Sequence, residues 1–185
     1  KREGRRSLST GIMQEDMRRI WEGQVLKLML RVLISKGSSK MNEFMQLAIY
    51  KAREGMQRGH GGPFGAVIVK DGQVIASAHN EVLKENDPTS HAEIQAIRAA
   101  SEKLDTHDLS GCELYTTGKP CPMCKGAIQW AKIEKVYYGC DYEDAKRIGF
   151  DEVSGNSESY TEEQVDYKEC QELYEEYLSS DRETY

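Results

Sequence analysis

The sequence predicts an α/β protein in which one mixed sheet lies between helical layers. Short runs of β-branched and apolar residues alternate with stretches whose apolar residues recur at helical spacing. Single helices separate the later predicted strands, an order typical of parallel neighbours with crossover connections. With 185 residues, 38% of them apolar, the chain is long enough for one substantial core.

The first predicted elements are a helix and a hairpin. An apolar stripe predicts a helix over 42–57, which the glycines that follow it terminate. Apolar, β-branched runs predict strands over 64–70 and 73–79. They are joined by Asp71-Gly72, a strong signal for a type I′ turn.

The remaining elements are predicted to alternate between helix and strand. The helix after the hairpin rests on the spacing of Ile94, Ile97 and Ala100. In chain order we expect a helix over 91–103, a strand over 112–116, a helix over 121–131, a strand over 135–139, a short helix over 143–148, a polar loop over 154–160 and a Glu- and Tyr-rich helix over 161–179.

The net charge of −6 combines two segments of opposite sign. Residues 1–40 carry ten Lys or Arg and four Asp or Glu, a net +6, which leaves −12 for residues 41–185. Binding to nucleic acid draws much of its affinity from Lys and Arg at phosphates. We therefore expect a small uncharged substrate and no nucleic-acid partner, although a local basic patch remains open at Lys119, Lys125, Lys132 and Lys135.

Residues 1–40 are interpreted as an N-terminal extension of uncertain origin. An amphipathic helix is expected over 20–34, followed by a Ser/Lys/Gly linker. One interpretation takes Met41 as the natural start; the other takes the basic segment as a helix for a membrane surface or a partner. The main domain is predicted over 41–152.

The cysteine pattern indicates a metal site and no disulfide framework. The chain has five cysteines, an odd number, with one close pair. This is typical of a reduced, cytoplasmic protein. No apolar run approaches the ~20 residues of a transmembrane helix, and no secretory signal peptide is recognised.

One histidine, one carboxylate and two cysteines occur in a spacing typical of an open zinc site. His91 is followed by Glu93 two residues later, and Cys121 and Cys124 form a Cys-x-x-Cys pair. Zinc held by one imidazole and two thiolates keeps its fourth position for a water molecule, whose pKa falls to ~7. A closed structural site normally has four protein ligands, and no second Cys-x-x-Cys is present, so an open catalytic site is favoured.

Both halves of this site are predicted at helix N-termini. Such a terminus favours thiolate over thiol through its unpaired N–H groups and its dipole. Two helix N-termini that face each other would complete the site. His60, His79 and His107 lack this context, and each is interpreted as structural or exposed.

The pattern H-x-E with a downstream P-C-x-x-C is the signature of zinc nucleobase deaminases. The chain resembles the cytidine deaminase superfamily, and residues 41–152 resemble its guanine deaminase branch. The stretches that carry the resemblance are GGPFGAVIV at 61–69, NDPTSHAE at 86–93, PCPMCKGAI at 120–128 and IGFD at 148–151. The resemblance implies a three-layer α/β/α sandwich with a central mixed five-stranded sheet, a Zn²⁺ cofactor and a homodimer.

The resemblance also implies roles for particular residues. His91, Cys121 and Cys124 are expected to bind zinc, and Glu93 is expected to act as the catalytic proton shuttle. The residues expected to contact the substrate base are the backbone of Ala92, the side-chain amide of Asn80, the ring of Phe64, the carboxylate of Asp144 and the terminal aromatic Tyr185.

Simpler structural roles remain open for several of these positions. Asn80 also suits a turn, Phe64 suits a core position, and Tyr185 lies at a terminus of the kind that often frays. Residues 153–185 are predicted as a C-terminal helical segment that closes the active site or is swapped in a dimer. Lys119 departs from the family, where glutamate is common before the Pro-Cys.

The reaction implied is hydrolytic deamination of a free purine base, guanine to xanthine with release of ammonia. Guanosine, cytosine and tRNA adenosine deaminases remain as alternatives that share the zinc chemistry. An alternative of a different class is a non-catalytic zinc-binding interaction protein.

Overall fold

The computed structural model describes residues 41–150 and 160–180 of the chain. The helices are α1 Glu43–Gln57, α2 Val82–Glu85, α3 Ala92–Leu104, α4 Pro122–Trp130, α5 Tyr142–Arg147 and α6 Tyr167–Ser179. The strands are β1 Gly65–Lys70, β2 Gln73–His79, β3 Cys112–Gly118, β4 Lys135–Cys140 and β5 Thr161–Gln164.

The five strands form one mixed sheet in the order β2-β1-β3-β4-β5. Strand β1 is antiparallel to both β2 and β3, whereas β3, β4 and β5 run parallel to one another. The predicted five-stranded mixed sheet between helical layers is confirmed.

The hairpin between β1 and β2 forms at the predicted turn. Asp71 and Gly72 both have positive φ, 51° and 71°, as a type I′ turn requires. The pairing shifts register between Ile68 and Val69 and then resumes with Val69 opposite Val74. This β-bulge lies in the central part of a strand buried on both sides.

Successive side chains of β1 enter two different cores, because side chains alternate across a strand. Ala66 and Ile68 pack with α3 and α4, whereas Val67 and Val69 pack with α1 and α6. Burial on both faces explains why this strand is a continuous apolar run. The sheet therefore separates two helical layers, as predicted.

The predicted helix over 161–179 is wrong in its first part. Residues Thr161–Gln164 form β5, which pairs in parallel with β4, and the helix starts at Tyr167. The polar sequence Thr-Glu-Glu-Gln has no strand periodicity, but backbone pairing with the exposed edge of β4 decides its structure. The short helix α2, immediately after β2, was not predicted.

Side-chain caps fix the N-termini of α1 and α5. The Asn42 side chain accepts hydrogen bonds from the backbone N–H groups of Phe44 and Met45. At α5, Asp141 and Asp144 form a reciprocal capping box. Both caps lie within two residues of the predicted helix starts, 42 and 143.

Three parts of the sequence-based prediction concern residues outside the described ranges: the helix expected over 20–34, the polar loop over 154–160 except its last residue, and the terminal Tyr185. Across residues 41–150 and 160–180, no helix combines the length and apolar character needed to cross a bilayer.

Candidate metal centre and active site

Two helices on one face of the sheet bring the predicted metal ligands together. His91 is the N-cap of α3 and Cys121 the N-cap of α4, and each carbonyl accepts the first hydrogen bond of its helix. Neither side chain caps its own helix, so both side chains are available for other contacts. Pro122 at the first position of α4 sets the backbone for helix entry.

The three ligand side chains form a cluster with the dimensions of a tetrahedral zinc site. His91 Nδ1 lies 3.7 Å from Cys121 Sγ and 3.6 Å from Cys124 Sγ, and all three atoms lie within 4.8 Å of one another. Usual zinc–nitrogen and zinc–sulfur bond lengths place such atoms ~3.5 Å apart. The donor set and its spacing both fit zinc.

Local electrostatics favour a thiolate at Cys121. A hydrogen bond with the Cys124 side chain, aided by His91, lowers the pKa of Cys121 to about 4, against the opposing effect of burial. The N-terminus of α4 adds a favourable partial positive charge. A thiolate is the form that binds metal. By contrast, burial raises the pKa of Cys140 and Cys170, which lie in the opposite core.

Glu93 lies in the first turn of α3, two residues after the histidine ligand. It is one of few buried carboxylates among the described residues, with 6% of its surface exposed. Burial raises the pKa of Glu93 above its usual value. A carboxyl group of raised pKa beside a metal site is suited to both accepting and donating a proton.

Two residues that the sequence analysis did not single out hold the ligand-bearing loops. The carboxylate of Asp87 accepts hydrogen bonds from the Thr89 backbone and hydroxyl, at 2.8 and 2.7 Å, and from Ser90 Oγ at 3.1 Å. Tyr142 Oη donates to the Pro120 carbonyl at 2.7 Å. The Asp-Pro-Thr-Ser turn pattern could have identified Asp87, whereas the Tyr142 contact is tertiary.

Asn80 and Ala92, two predicted substrate contacts, are both buried. Asn80 directly follows β2, and its Oδ1 accepts a hydrogen bond from the Val82 N–H at 3.1 Å. The next residue, Glu81, is joined by its N–H to the Ser90 carbonyl at 2.9 Å, beside His91. Ala92 is the first residue of α3. Their roles in substrate binding remain predictions.

Phe64 belongs to an aromatic cluster. Its ring makes edge contacts with Phe150 and Tyr174, with centroid distances of 5.0 and 5.8 Å. Thr117 Oγ1 fixes the flanking backbone by accepting from Gly65 N and donating to the Pro63 carbonyl. The ring therefore has a packing role, and its role as a pocket wall stays a prediction.

Asp144 has local partners for both carboxylate oxygens. Oδ2 accepts from the Asp141 N–H at 3.1 Å, and Oδ1 accepts from Tyr167 Oη at 3.0 Å. The carboxylate thus links the start of α5 to the start of α6. Its predicted contact with substrate stays a prediction, and so does that of Tyr185.

Lys119, the departure from the family pattern, is paired with β5. Its Nζ lies 3.2 Å from Glu162 Oε2, and Nζ of the buried Lys125 lies 3.5 Å from the other oxygen. Burial alone would raise the pKa of Glu162, but hydrogen bonds from Tyr160 and Lys119 and the charges of both lysines lower it. This cluster ties β5 to the loop and helix that carry the two cysteines.

The comparisons with known proteins agree with this geometry. Residues 38–140 match the family described as the cytidine and deoxycytidylate deaminase zinc-binding region, which covers more than half of the chain. The protein belongs to this family, and the predicted membership is confirmed.

Relatives with two different substrates are similar to the chain. Guanine deaminase of Bacillus subtilis (strain 168) is 51% identical over 109 residues, which span 59% of this chain and 70% of that protein. A tRNA-specific adenosine deaminase of Aquifex aeolicus (strain VF5) is 45% identical over 95 residues, 51% of this chain and 62% of the relative.

A solved structure of guanine deaminase from Nitrosomonas europaea is 28% identical, with a TM-score of 0.70. The match covers 82% of this chain and 93% of that chain. The protein is therefore a zinc-dependent deaminase, a hydrolase that acts on C–N bonds, and its fold is that of guanine deaminase relatives.

Proposed function

We propose that the protein hydrolyses guanine to xanthine and ammonia, with one water molecule consumed per base. The observation that best supports this proposal is the cluster of His91, Cys121 and Cys124 beside the buried carboxyl group of Glu93. The choice of guanine is supported by the similarity to a guanine deaminase over 70% of that relative.

His91, Cys121 and Cys124 hold the zinc ion in this proposal. Bound zinc lowers the pKa of water and so supplies a nucleophile at neutral pH. Glu93 accepts a proton from the attacking water through a carboxylate oxygen. It delivers this first proton to the ring nitrogen as the water oxygen bonds to the carbon that bears the amino group. Glu93 then takes the second proton from that oxygen and delivers it to the amino group, so that the C–N bond breaks, a carbonyl forms and ammonia leaves.

The chain's own groups orient the base before this transfer. The backbone N–H of Ala92 and the side chain of Asn80 hold the polar edge of the base. Phe64 presents an apolar wall, supported from behind by Phe150 and Tyr174. Asn80 and Ala92 are buried, which excludes water that would otherwise compete for the same hydrogen bonds.

A tRNA adenosine is the second candidate substrate, because the Aquifex aeolicus relative is 45% identical over half of this chain. The free base is favoured because residues 41–185 carry a net charge of −12. In addition, Glu162 pairs with Lys119 and Lys125, which neutralises part of the local basic patch. A polyanionic substrate gains little on such a surface.

The test is ammonia release from a panel of substrates by the zinc-loaded full chain. Guanine, guanosine, adenine, cytosine, isoguanine and a tRNA with adenosine in its anticodon loop are incubated separately. We expect release from guanine, with xanthine formed in equal amount. Release only from another member of the panel would overturn the guanine assignment while it preserved the chemistry.

Zinc analysis of the same samples distinguishes a wrong substrate assignment from a protein that binds zinc but is not a deaminase. Protein that holds one zinc ion and releases no ammonia from any base would support a non-catalytic zinc-binding protein. In that case the proposed reaction is wrong.

A further inference from the structure

A second cluster of metal-ligand side chains lies apart from the zinc site. It consists of His60, which follows α1, with His79 at the end of β2 and Glu81 just beyond. His60 Nδ1 lies 2.9 Å from His79 Nε2, and Glu81 Oε1 lies 3.9 and 3.5 Å from these two nitrogens. All three atoms lie within 4.8 Å of one another.

These separations suit a common metal ion. Zinc bound tetrahedrally to histidine nitrogen and carboxylate oxygen holds neighbouring ligand atoms ~3.4 Å apart. The three observed distances bracket that value. Two imidazoles and one carboxylate form a donor set that first-row transition ions bind well, with a further position open to water.

The fold fixes each of the three side chains. A Cβ atom at Gly55 would lie 2.6 Å from His79 Cδ2, so this glycine lets the ring pack against α1. The His60 N–H donates to the Gly55 carbonyl, and its own carbonyl accepts from the start of α2. Gln95 Nε2 donates to the other oxygen of Glu81 at 3.1 Å. Such surrounding contacts orient ligands before an ion arrives.

The environment of His79 and the exposure of Lys84 also favour the binding of a metal ion at this cluster. Burial disfavours the charged form of His79 and lowers its pKa, and a metal ion binds the neutral form of imidazole. Lys84 Nζ lies 2.8 Å from Glu81 Oε1. Its side chain is 42% exposed and can turn into solvent when a cation takes its place.

We propose that His60, His79 and Glu81 form a second binding site for a divalent transition-metal ion. The site is accessory to the zinc centre and joins the end of α1 to the segment that carries Asn80. Glu81 also contacts the Ser90 carbonyl through its N–H. Ion binding therefore stiffens the connection between β2 and the histidine ligand of α3.

The test titrates Co²⁺ into untagged, full-length protein that already holds one zinc ion. We expect uptake of a second ion, detected by metal analysis after equilibrium dialysis. The expected absorption is that of a cobalt d–d transition without a thiolate charge-transfer band, because this site has no cysteine. Such a band without a net gain of metal would indicate displacement at the zinc centre and would contradict the proposal.

The four histidines of the chain supply matched variants. His60→Gln and His79→Gln should each weaken binding of the second ion ~10-fold or more while they retain the first zinc ion. Glu81→Gln should do the same. The exposed His107→Gln should bind both ions like the wild type.

Retention of the first zinc ion reports that each variant is folded. The proposal is overturned if zinc-loaded wild type takes up no Co²⁺ at saturation. It is also overturned if folded His60→Gln and His79→Gln bind the second ion as tightly as wild type.

Discussion

The two faces of the sheet are built from different residues and carry different tasks. The metal face, formed by α3 and α4, is lined by small residues of α3, namely Ala92, Ala96 and Ala100. The aromatic face, formed by α1 and α6, contains large side chains, which include Met45, Phe150, Tyr174 and Tyr177. All three predicted zinc ligands and Glu93 belong to helices of the metal face.

This difference shows how the fold separates chemistry from packing. Alanines let α3 lie close to the sheet, so that its N-terminus meets that of α4. The aromatic face instead forms a packed core of large side chains. Its cysteines are buried thiols, and that burial raises their pKa. Substitutions on the metal face should reduce activity at little cost in stability, and those on the aromatic face should do the reverse.

The largest expected effect on the metal face comes from Glu93→Gln. Loss of the proton shuttle should lower turnover ~10²–10⁴-fold. Zinc content should be unchanged, because the carboxylate is not a ligand in the proposed site. Ammonia release and metal analysis on the same preparation measure both quantities.

Glu102→Gln provides a control on the same helix. Glu102 is exposed near the end of α3, and its replacement should leave turnover unchanged. Turnover close to wild type in zinc-loaded Glu93→Gln would show that another group moves the protons.

The next largest expected effect is the loss of the Cys121 thiolate at low pH in zinc-free protein. Its pKa falls from the usual 9.0 to about 4, chiefly through the hydrogen bond with Cys124. The thiolate contribution to stability is therefore fully present above pH 9 and is lost as the pH falls through about 4. Ultraviolet thiolate absorbance should persist at neutral pH and disappear with a midpoint near that lower value.

Two serine variants show which cysteine is responsible for this titration. Cys121→Ser should remove it, while Cys112→Ser should not, because burial raises the pKa of Cys112. A thiolate midpoint near 9 in folded, zinc-free wild type would contradict the proposed environment of Cys121.

The same contrast explains what could be predicted from the sequence. The ligands of the metal face belong to local motifs, His-x-Glu and Cys-x-x-Cys, and their helices show clear apolar periodicity. The Asp71-Gly72 turn likewise determines its own geometry. Where the physical cause of a structural feature lies among residues close in the chain, the element and its position were predicted well.

The errors and omissions have tertiary causes. Strand β5 has no hydrophobic pattern that would predict it. Its position depends on pairing with β4 and on the contacts of Glu162 with two lysines. His60 and His79 are 19 residues apart in the chain and meet only when α1 packs against the hairpin. Such contacts leave no local signal in the sequence.

A glycine substitution tests the aromatic face. A Cβ atom at Gly139 would lie 2.8 Å from the Thr117 carbonyl oxygen and would overlap the Cys170 side chain. Gly139→Ala should therefore lower the free energy of unfolding by ~1–3 kcal/mol. Urea denaturation of the zinc-loaded protein measures this loss.

Gly126→Ala is the matched control on the metal face. Gly126 lies within α4 with no atom near the added Cβ, so the substitution should stabilise the protein by ~1 kcal/mol. Equal stability of the two alanine variants would contradict the close approach of α6 to β4.

The smallest expected effect concerns Tyr142, which supports the zinc site from α5. Tyr142→Phe removes the hydrogen bond to the Pro120 carbonyl, which precedes Cys121, at a cost of ~1 kcal/mol. Its ring still faces the ammonium groups of Lys119 and Lys125, so the variant isolates the hydroxyl. Zinc affinity, measured by competition with a chelator, should fall ~5-fold.

Tyr50→Phe is the control, because Tyr50 is 51% exposed on α1. It should bind zinc as wild type does. A Tyr142→Phe variant of unchanged zinc affinity but lowered free energy of unfolding would place this hydroxyl among the packing contacts. The metal centre would then be held by the helices of its own face alone, and the division between the two faces would be sharper than the hydrogen bond suggests.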